Sequence, residues 1–246
     1  MRLPIRHPIL ANEKRVVTGL GLHASSETEV FPEMLDQSER VSGTAVDRVM
    51  LDAGYFHNDV IDVALERDLD LLCPEGKVAG QPRDAVKFQK GQFRYNEVED
   101  VYVCPAGEQL ILLSTIKESD RSPGHRVYGG ASCETCSLRQ RCTTRREGRQ
   151  IKRYACDDAR DALREVMRQP GAQQAFCQRK AMVEPVFSHL RQVQGLNRFR
   201  RKGLQAVKRE FGLHVLAYNL SRVVAWFRVF IWALLGVQRR YWSLLE

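Results

Sequence analysis

The sequence contains no apolar run long enough to cross a membrane. Its most apolar segment, residues 223–237, carries Arg228 and falls short of the ~20 predominantly apolar residues that span a bilayer. We interpret the segment as a buried helix. A helix lying on a membrane surface is the alternative, because tryptophans and arginines are interspersed there. These residues are Trp226, Trp232, Trp242, Arg222, Arg239 and Arg240.

The chain also starts without an apolar leader, and its cysteine count of seven is odd. Both features argue against a secreted disulfide scaffold and predict a cytoplasmic protein. Repeats and low-complexity tracts are absent, and 43% hydrophobic residues with 28% charged residues exclude intrinsic disorder as the main state. At about 150 residues per domain, 246 residues predict one large domain or one domain carrying an insertion.

Charge is segregated along the chain. Residues 27–70 hold twelve acids and three bases, whereas residues 176–210 hold nine bases and two acids, within a formal net charge of +8. This balance favours a polyanionic partner such as DNA, bound through the second half of the chain.

Hydrophobic periodicity predicts an α/β layer with partly parallel strands, followed by a helical tail. Strands and helices alternate up to residue 73, a polar loop covers residues 74–94, and helical spacing begins at Asp157. The predicted elements are a strand at 15–23, a helix at 29–37, a strand at 46–51, a helix capped by Asn58, a strand at 70–73 and a hairpin over 109–116 and 126–128.

Four cysteines have the spacing of a metal site. Cys133 and Cys136 form a C-x2-C pair, Cys142 follows after five residues, and Cys104 lies upstream in a Cys-Pro-x-Gly turn. Four thiolates suit one tetrahedral, structural Zn²⁺, and a C-x2-C pair places two ligands on one tight turn. Two alternatives stay open, a reversible redox pair and a set of reduced, metal-free thiols.

Two carboxylates are candidates for a second metal site. Asp52 follows a predicted buried strand, and Glu184 stands before Pro185 at a predicted helix start. Carboxylates gathered at strand and helix ends hold Mg²⁺, and two such ions activate the oxygens of a phosphoryl transfer. Purely structural roles fit both residues as well. Asp52 would form a turn, and Glu184 would be favoured at a helix start by the helix dipole.

A short basic segment, residues 197–202 (NRFRRK), is a candidate DNA-contacting surface. It mixes Phe199 with Arg198, Arg200, Arg201 and Lys202, and residues 139–153 add seven bases against one acid. Both segments could follow a phosphate backbone and give salt-dependent binding. The alternative for both is an ordinary solvated surface.

Five collinear motifs resemble the bacterial insertion-sequence transposases of the DDE superfamily. The segment DAGYF from Asp52 resembles the family's second-aspartate motif, and the block that contains Arg179, Lys180, Glu184 and Arg191 resembles its tyrosine-arginine-glutamate-lysine motif. The CPAG turn and the C-x2-C-x5-C pattern resemble the cysteine-bearing insertion of one branch. The tail GLNRFRRKGLQAVKREFGLHVLAYNL resembles its helical C-terminal end. The resemblance covers roughly residues 15–230.

The resemblance implies an RNase H-like α/β fold, a mixed sheet flanked by helices, with a zinc-ribbon-like insertion and a helical C-terminal part. We assign residues 1–75 to the first part of the catalytic domain, 76–155 to the insertion and 156–246 to the helical part with the catalytic glutamate. Asp52 and Glu184 would bind Mg²⁺ or Mn²⁺ for DNA cleavage and strand transfer. Arg179 and Arg191, whose forked donors suit phosphate, would contact DNA.

The sequence departs from the family pattern in several places. Arg191 stands where the family more often has lysine, Ser188 replaces a frequent glycine, and Pro185 predicts that a helix starts or kinks at Glu184. The main departure is at the first catalytic aspartate, because Glu13 is the only acid in the first twenty-six residues and nothing around it resembles that motif.

The absence of the first-aspartate motif predicts an N-terminally truncated transposase that is inactive alone. Its expected partners are the DNA of element ends and targets and either a second copy or a full-length transposase, at the bacterial nucleoid. The alternative is a non-catalytic, zinc-containing DNA-binding protein that interferes with a full-length transposase.

Overall fold

The computed structural model describes residues 6–24, 26–76, 88–119, 124–130 and 133–234, which form two compact units. The first unit comprises Met1–Met50, Asp62–Leu71 and Pro170–Glu246, and the second comprises Leu51–Ile61 and Leu72–Gln169. Each unit has its own apolar core. Part of the predicted loop at 74–94 and the residues Arg239, Arg240 and Trp242 lie outside the described residues.

The first unit begins with an antiparallel hairpin of β1 (Ile9–Ala11) and β2 (Val17–Leu20). Asn12 holds the turn, because its Oδ1 accepts a hydrogen bond from the backbone N–H of Val16 (3.0 Å) and its carbonyl accepts one from that of Arg15 (2.8 Å). β2 occupies the centre of the strand predicted at 15–23, and the pairing continues beyond it as a single bridge between Arg6 and His23.

Helix α1 (Phe31–Ser42) packs against β2 through the buried side chains of Phe31, Met34 and Leu35. Gly19 of β2 makes this approach close, since a Cβ there would lie 2.5 Å from the carbonyl oxygen of Met34. The helix ends at Gly43, whose φ of 72° is in the left-handed region that glycine adopts at little cost.

A strand–helix–strand segment follows, formed by β3 (Arg48–Met50), α2 (Asn58–Glu66) and β4 (Asp70–Leu72). The N–H of Asp70 donates to the carbonyl of Asp47, and the N–H of Leu51 donates to the carbonyl of Leu72, so the hydrogen bonds advance in the same direction along both strands. This is a parallel pair. Asn58 is the first helical residue, and its buried Oδ1 has no hydrogen-bond partner among the described residues, so the predicted capping role is wrong.

Five antiparallel strands form the sheet of the second unit, and neighbours in the sequence are neighbours in the sheet. The strands are β5 (Arg94–Asn96), β6 (Val101–Val103), β7 (Gln109–Ile116), β8 (His125–Gly129) and β9 (Gln150–Arg153). β7 and β8 form the predicted hairpin. The sequence analysis missed β5, β6 and β9, because strands of three or four residues are too short to show alternation.

The core of this sheet consists of Phe93, Tyr102, Leu110, Tyr128 and Ile151, and two tyrosines of the sheet bind a half-buried carboxylate, Asp100. The hydroxyls of Tyr95 and Tyr128 each donate to Oδ1 of Asp100 at 2.6 Å, and Arg126 donates to the same oxygen at 3.1 Å. These hydrogen bonds, led by that of Tyr128, lower the pKa of Asp100. Burial raises the pKa of Tyr102, which packs against both tyrosines, to about 12.

Ion pairs attach α4 (Asp157–Arg168), which follows the short helix α3 (Arg139–Cys142), to the sheet of the second unit. The buried guanidinium of Arg153 in β9 contacts Asp158 and Asp161, and it also donates to the hydroxyl of Tyr102 at 2.8 Å. Because both α4 carboxylates meet a buried cation, the position of α4 on the sheet is fixed by charge as well as by packing.

The first unit is completed by α5 (Pro170–Ser188), a π-helical turn (His189–Val193) and α6 (Leu204–Leu234). The prediction that a helix starts at Glu184 is wrong, because α5 continues through Pro185 to Ser188, and a kink there stays a prediction. The fully buried Val186 and Leu190 hold this stretch in the core, so tertiary packing outweighs the hydrogen bond that proline cannot make.

The core of the first unit joins the hairpin to these helices. Its buried members are Ile9, Val17, Leu22, Val186, Leu190, Val207, Phe211, Val215 and Tyr218. Asn219 of α6 bonds the backbone of Val17 on both sides, at 3.0 and 2.8 Å. The predicted mixed α/β class and helical tail are confirmed, whereas the RNase H-like arrangement stays a prediction.

Candidate functional site

Asp52 lies at the exposed start of a single-turn 3-10 helix, Ala53–Tyr55, directly after β3. Its Oδ1 accepts the N–H of Gly54 at 3.0 Å, which fixes the carboxylate as the cap of that turn. Phe56 anchors the turn in the second unit, where the guanidinium groups of Arg160 and Arg164 lie 5.2 and 5.5 Å from its ring. The motif therefore presents a carboxylate on a well-anchored turn.

Glu184 projects from the last quarter of α5 and is exposed. Its Oε1 lies 3.6 Å from Nζ of Lys180, one helical turn earlier, and both side chains are mostly solvated. Since Glu184 is deep within a helix, the alternative that made it a helix-start residue is wrong. Asp52 and Glu184 belong to different compact units, and their convergence stays a prediction.

The two arginines taken from the family block differ in their surroundings. Nε of Arg179 donates to the carbonyl of Met50 at 3.2 Å, which ties α5 to the end of β3. Arg191 is exposed, with its guanidinium 5.8 Å from the ring of Phe187. Arg179 therefore has a positioning contact inside the first unit, and a phosphate contact by either arginine stays a prediction.

The segment NRFRRK forms a loop between the π-helical turn and α6, which we call the basic loop (residues 195–203). Glycines in the left-handed region close both ends, with φ of 70° at Gly195 and 84° at Gly203. Phe199 packs on the core of the first unit, with its ring centroid 6.0 Å from that of Phe211. All four cations of the loop are exposed. They are Arg198, Arg200, Arg201 and Lys202.

Glu210 of α6 fixes the backbone of the basic loop, and the sequence analysis missed this residue. Its carboxylate accepts the N–H of Arg200 at 2.9 and 3.1 Å and the N–H of Arg201 at 2.9 Å. These backbone hydrogen bonds lower the pKa of Glu210. The only sequence signal was an acid following a basic segment, which equally fits a surface ion pair. The loop is thus held by an aromatic anchor and a carboxylate, with its cations facing solvent.

The second basic segment, residues 139–153, is used differently. Arg139 donates to the carbonyl of Cys133 at 2.9 Å, Arg149 donates to those of Cys142 and Phe88, and Arg153 is buried among acids. These three arginines support the fold of the second unit. The prediction that the whole segment follows a phosphate backbone is wrong for them, because their guanidinium groups already have protein partners.

Four cysteines line one small cavity in the second unit. Its volume is about 30 Å³, and Cys104, Cys133, Cys136 and Cys142 form part of its wall together with Arg149. The turn after β6 brings Cys104 there, because Gly107, at a φ of 87°, lets its N–H donate to the carbonyl of Cys104 at 2.9 Å.

Gly148 packs directly against Cys133 and leaves no room for a larger residue, because a Cβ there would lie 2.7 Å from the Cβ of Cys133. Burial raises the pKa of the Cys142 thiol, and Arg149 opposes this by lowering it. The cavity has the size of one water molecule or one ion. Within the described residues, no three His, Cys, Asp or Glu side chains already stand in a metal-binding arrangement.

Comparison with known proteins assigns a family. The model of the family described as the transposase DDE domain matches residues 103–224. Over this segment the chain belongs to the DDE transposase superfamily. The match includes the four cysteines, Glu184 and the basic loop, and Asp52 lies outside it. Transposases of this family act on DNA and typically use a divalent metal ion.

No curated protein and no solved structure matches the chain significantly. As far as the chain is described, none of its helices has the length and apolarity needed to cross a membrane.

Proposed function

We propose that this protein is a DDE transposase that binds DNA through the basic loop and contributes Asp52 and Glu184 to the metal site. The family match over residues 103–224 carries the proposal, because it contains both Glu184 and the loop. The loop supports it independently. Exposed arginines on a rigid backbone bind phosphate without losing much conformational freedom.

The carboxylates suit a hard divalent cation. Both Asp52 and Glu184 are exposed, and their oxygens are the ligand type that Mg²⁺ and Mn²⁺ prefer. When bound, such ions activate the attacking water or hydroxyl and stabilise the leaving oxygen of a phosphodiester. The protein's part is to fix the two carboxylates, Asp52 by its bond from Gly54 and Glu184 by its place in α5.

The chain by itself is expected to bind DNA without cleaving it. The family uses three carboxylates, and no segment before Asp52 resembles its first aspartate motif. Members of a catalytic set act together, so the absence of one removes most of the rate. DNA binding does not depend on that set, and we propose that it holds the protein at the nucleoid of a bacterial cell.

We also propose a structural zinc site at the cysteine cavity. Four thiols line a space of about 30 Å³, and Zn–S bonds of ~2.3 Å fit a centre of this size. Arg149 lines the same cavity and would offset the negative charge of four thiolates. Bound zinc would cross-link the turn after β6 to the segment between β8 and β9.

A second candidate function is a DNA-binding protein without chemistry, which competes with a full-length transposase or joins it. The basic loop and the cysteine cavity favour it, because both are built without reference to Asp52 or Glu184. Either function allows the protein to act with a second copy or with a full-length transposase.

Mg²⁺ binding separates the two functions, because only the first function loses Mg²⁺ affinity when Asp52 or Glu184 is replaced; cleavage and DNA-binding assays test the expected inactivity of the chain alone. The purified chain is incubated with linear duplex DNA carrying its genomic flanks, in Mg²⁺ or Mn²⁺, beside the variants Asp52→Ala and Glu184→Ala. Salt-sensitive binding without cleavage, unchanged in both variants, is the expected result for the chain alone. Cleavage that both substitutions abolish would show that a third ligand exists in this chain and that the expected inactivity is wrong.

A further inference from the structure

Ion pairs use nearly all of the charged side chains of α4. Six of its seven charged residues have an ion-pair partner, and these are Asp157, Asp158, Asp161, Arg164, Glu165 and Arg168. The seventh is Arg160, whose side chain has no ion-pair or hydrogen-bond partner in the part of the chain that the structure describes. An unpaired cation on a helix that is otherwise paired is available to an anion from outside the chain.

Arg160 differs from an ordinary solvated arginine. The side chain is half-buried, and its guanidinium carbon lies 5.2 Å from the ring centroid of Phe56. Its Nε is buried and has no hydrogen-bond partner among the described residues. A guanidinium that has lost part of its hydration without gaining an acceptor gains more from a bound anion than a fully solvated one does.

Arg164, one helical turn later, shows the paired state of a guanidinium on the same ring. It lies 5.5 Å from the centroid of Phe56 and donates to the carboxylate of Glu75 at 2.9 and 2.6 Å. It also pairs with Asp161. These carboxylates balance the charge of Arg164, so the positive charge of Arg160 is the one left uncompensated at the ring.

Two other arginines, Arg149 and Arg222, also have a buried Nε without a partner. Their terminal nitrogens donate to backbone carbonyls, those of Cys142 and Phe88 for Arg149 and that of Lys14 for Arg222. Of these three arginines, Arg160 is therefore the one whose whole guanidinium lacks an acceptor among the described residues.

Arg222 leads into the apolar segment of α6, for which the sequence predicted burial. That prediction is wrong for residues 223–231, which are exposed, with Trp226 at 58% and Phe227 at 62%. A surface dominated by apolar side chains is a poor phosphate site, which leaves α4 as the better candidate.

Phe56 places Arg160 beside Asp52. The N–H of Tyr55 donates to the carbonyl of Asp52 at 3.0 Å, and the N–H of Phe56 donates to that of Ala53 at 3.4 Å. A 3-10 helix rises ~2 Å per residue, so residues 52 and 56 are separated by ~8 Å along its axis. Asp52, Phe56 and Arg160 all belong to the second unit, so one compact body holds them.

We propose that Arg160 binds a backbone phosphate of DNA beside Asp52, in a phosphate subsite formed by the Asp52 turn and α4. The subsite rests on the proposed function, because DNA is the anion that it takes. The forked donors of a guanidinium match two oxygens of one phosphate, and stacking on Phe56 fixes the plane of the fork. Arg160 thus gives the second unit a contact with the DNA strand that Asp52 faces, in addition to the basic loop of the first unit.

Binding of a short DNA duplex, measured by fluorescence anisotropy at several salt concentrations without divalent metal, tests the subsite. Arg160→Gln should weaken binding by about three- to tenfold at ~0.1 M salt. It should also reduce by about 0.9 the magnitude of the slope of the logarithm of the association constant against that of the salt concentration, as for one lost phosphate contact.

Two further variants separate charge from packing. Arg160→Lys keeps the charge and should keep the slope, while losing part of the affinity because the forked donors are gone. Arg40→Gln is the matched control, since Arg40 is an exposed arginine on α1 and its loss changes net charge by the same amount. Circular dichroism checks that each variant is folded.

NMR of the arginine Nε–H groups tests direct contact in the unsubstituted chain, whether or not Arg160→Gln folds. The signal of Arg160, assigned by its loss in Arg160→Lys, should shift when the duplex is added. A signal that the duplex leaves unmoved, or an unchanged slope in folded Arg160→Gln, overturns the proposal. So does an Arg160→Lys variant that loses as much of the slope as Arg160→Gln, because packing on Phe56 would then explain the effect.

The proposed function is scored separately with the double variant Arg200→Gln, Arg201→Gln in the basic loop. If that variant binds the duplex as the unsubstituted chain does while Arg160→Gln does not, the loop fails as the DNA surface and the subsite stands. A chain that binds no duplex at all overturns both.

Discussion

Substitution of Glu210 by alanine tests whether the basic loop must be held rigid to bind DNA. The change removes one negative charge from a surface that binds a polyanion. Simple electrostatics therefore predicts tighter binding. The structure predicts the opposite, because Glu210 accepts the backbone N–H groups of Arg200 and Arg201 at 2.9 to 3.1 Å and nothing replaces these bonds in the variant.

The expected magnitude follows from the type of bond. Removal of a side chain that caps backbone N–H groups costs about 0.5–2 kcal/mol, and the exposure of this pair favours a value of about 1 kcal/mol. If binding requires the ordered loop, affinity for DNA falls by about fivefold at that energy. Glu210→Gln keeps one acceptor oxygen, and its affinity for DNA should lie between those of the unsubstituted chain and Glu210→Ala.

Fluorescence anisotropy with a short duplex, measured across a series of salt concentrations, gives both quantities that matter. The affinity reports loop order. The slope of the logarithm of the association constant against the logarithm of the salt concentration reports how many DNA phosphates the protein neutralises. We expect Glu210→Ala to weaken binding and to flatten the slope, because fewer of the four loop cations reach the backbone together.

The control is Glu66→Ala, since Glu66 is an exposed acid on α2 and its loss changes net charge by the same amount. Glu210→Ala could bind DNA as tightly as the unsubstituted chain or more tightly, with an unchanged slope and an intact fold. The basic loop would then not need the hydrogen bonds from Glu210 to bind DNA. The reasoning from rigidity would then be refuted.

The pKa of Glu210 sets the pH range of this effect. The backbone hydrogen bonds lower this pKa from its ordinary value of 4.5, so Glu210 stabilises the basic loop fully above pH 4.5. The contribution is lost as pH falls through the lowered pKa. The difference between the unsubstituted chain and Glu210→Ala should therefore stay constant from neutral to mildly acidic pH and narrow only below.

Three other substitutions probe the framework. If the cysteine cavity holds the proposed zinc, Cys133→Ser should remove one zinc per chain, measured by metal analysis, and lower the melting temperature, whereas the exposed Cys177→Ser should change neither. Asp100→Asn should lower the free energy of unfolding by about 1–2 kcal/mol in denaturant titrations at neutral pH. Because the pKa of Asp100 is lowered, the difference in unfolding free energy between the two proteins should disappear as pH falls below 3.8. Gly19→Ala should destabilise by about 1–3 kcal/mol through its clash with Met34, whereas Gly212→Ala, with open space around it, should stabilise the chain by up to about 1 kcal/mol.

Local patterns were sufficient for the longer elements. α1, α2 and the β7–β8 hairpin follow from periodicity and from turn residues, since their stability depends on neighbours close in sequence. The short strands β1, β5, β6 and β9 could not be predicted in this way, because three or four residues are too few to show alternation. The path of α5 through Pro185 could not be predicted either, because it depends on the burial of Val186 against segments distant in the sequence.

By itself, the sequence determined the family motifs, the composition of the basic loop and the spacing of the four cysteines, because each is a matter of which residue stands at which position. Tertiary structure decided what those residues do. It placed the four thiols around one cavity, used Arg139, Arg149 and Arg153 as internal supports, and left the loop cations exposed. Whether a guanidinium faces solvent or a buried carboxylate depends on contacts between segments far apart in the chain.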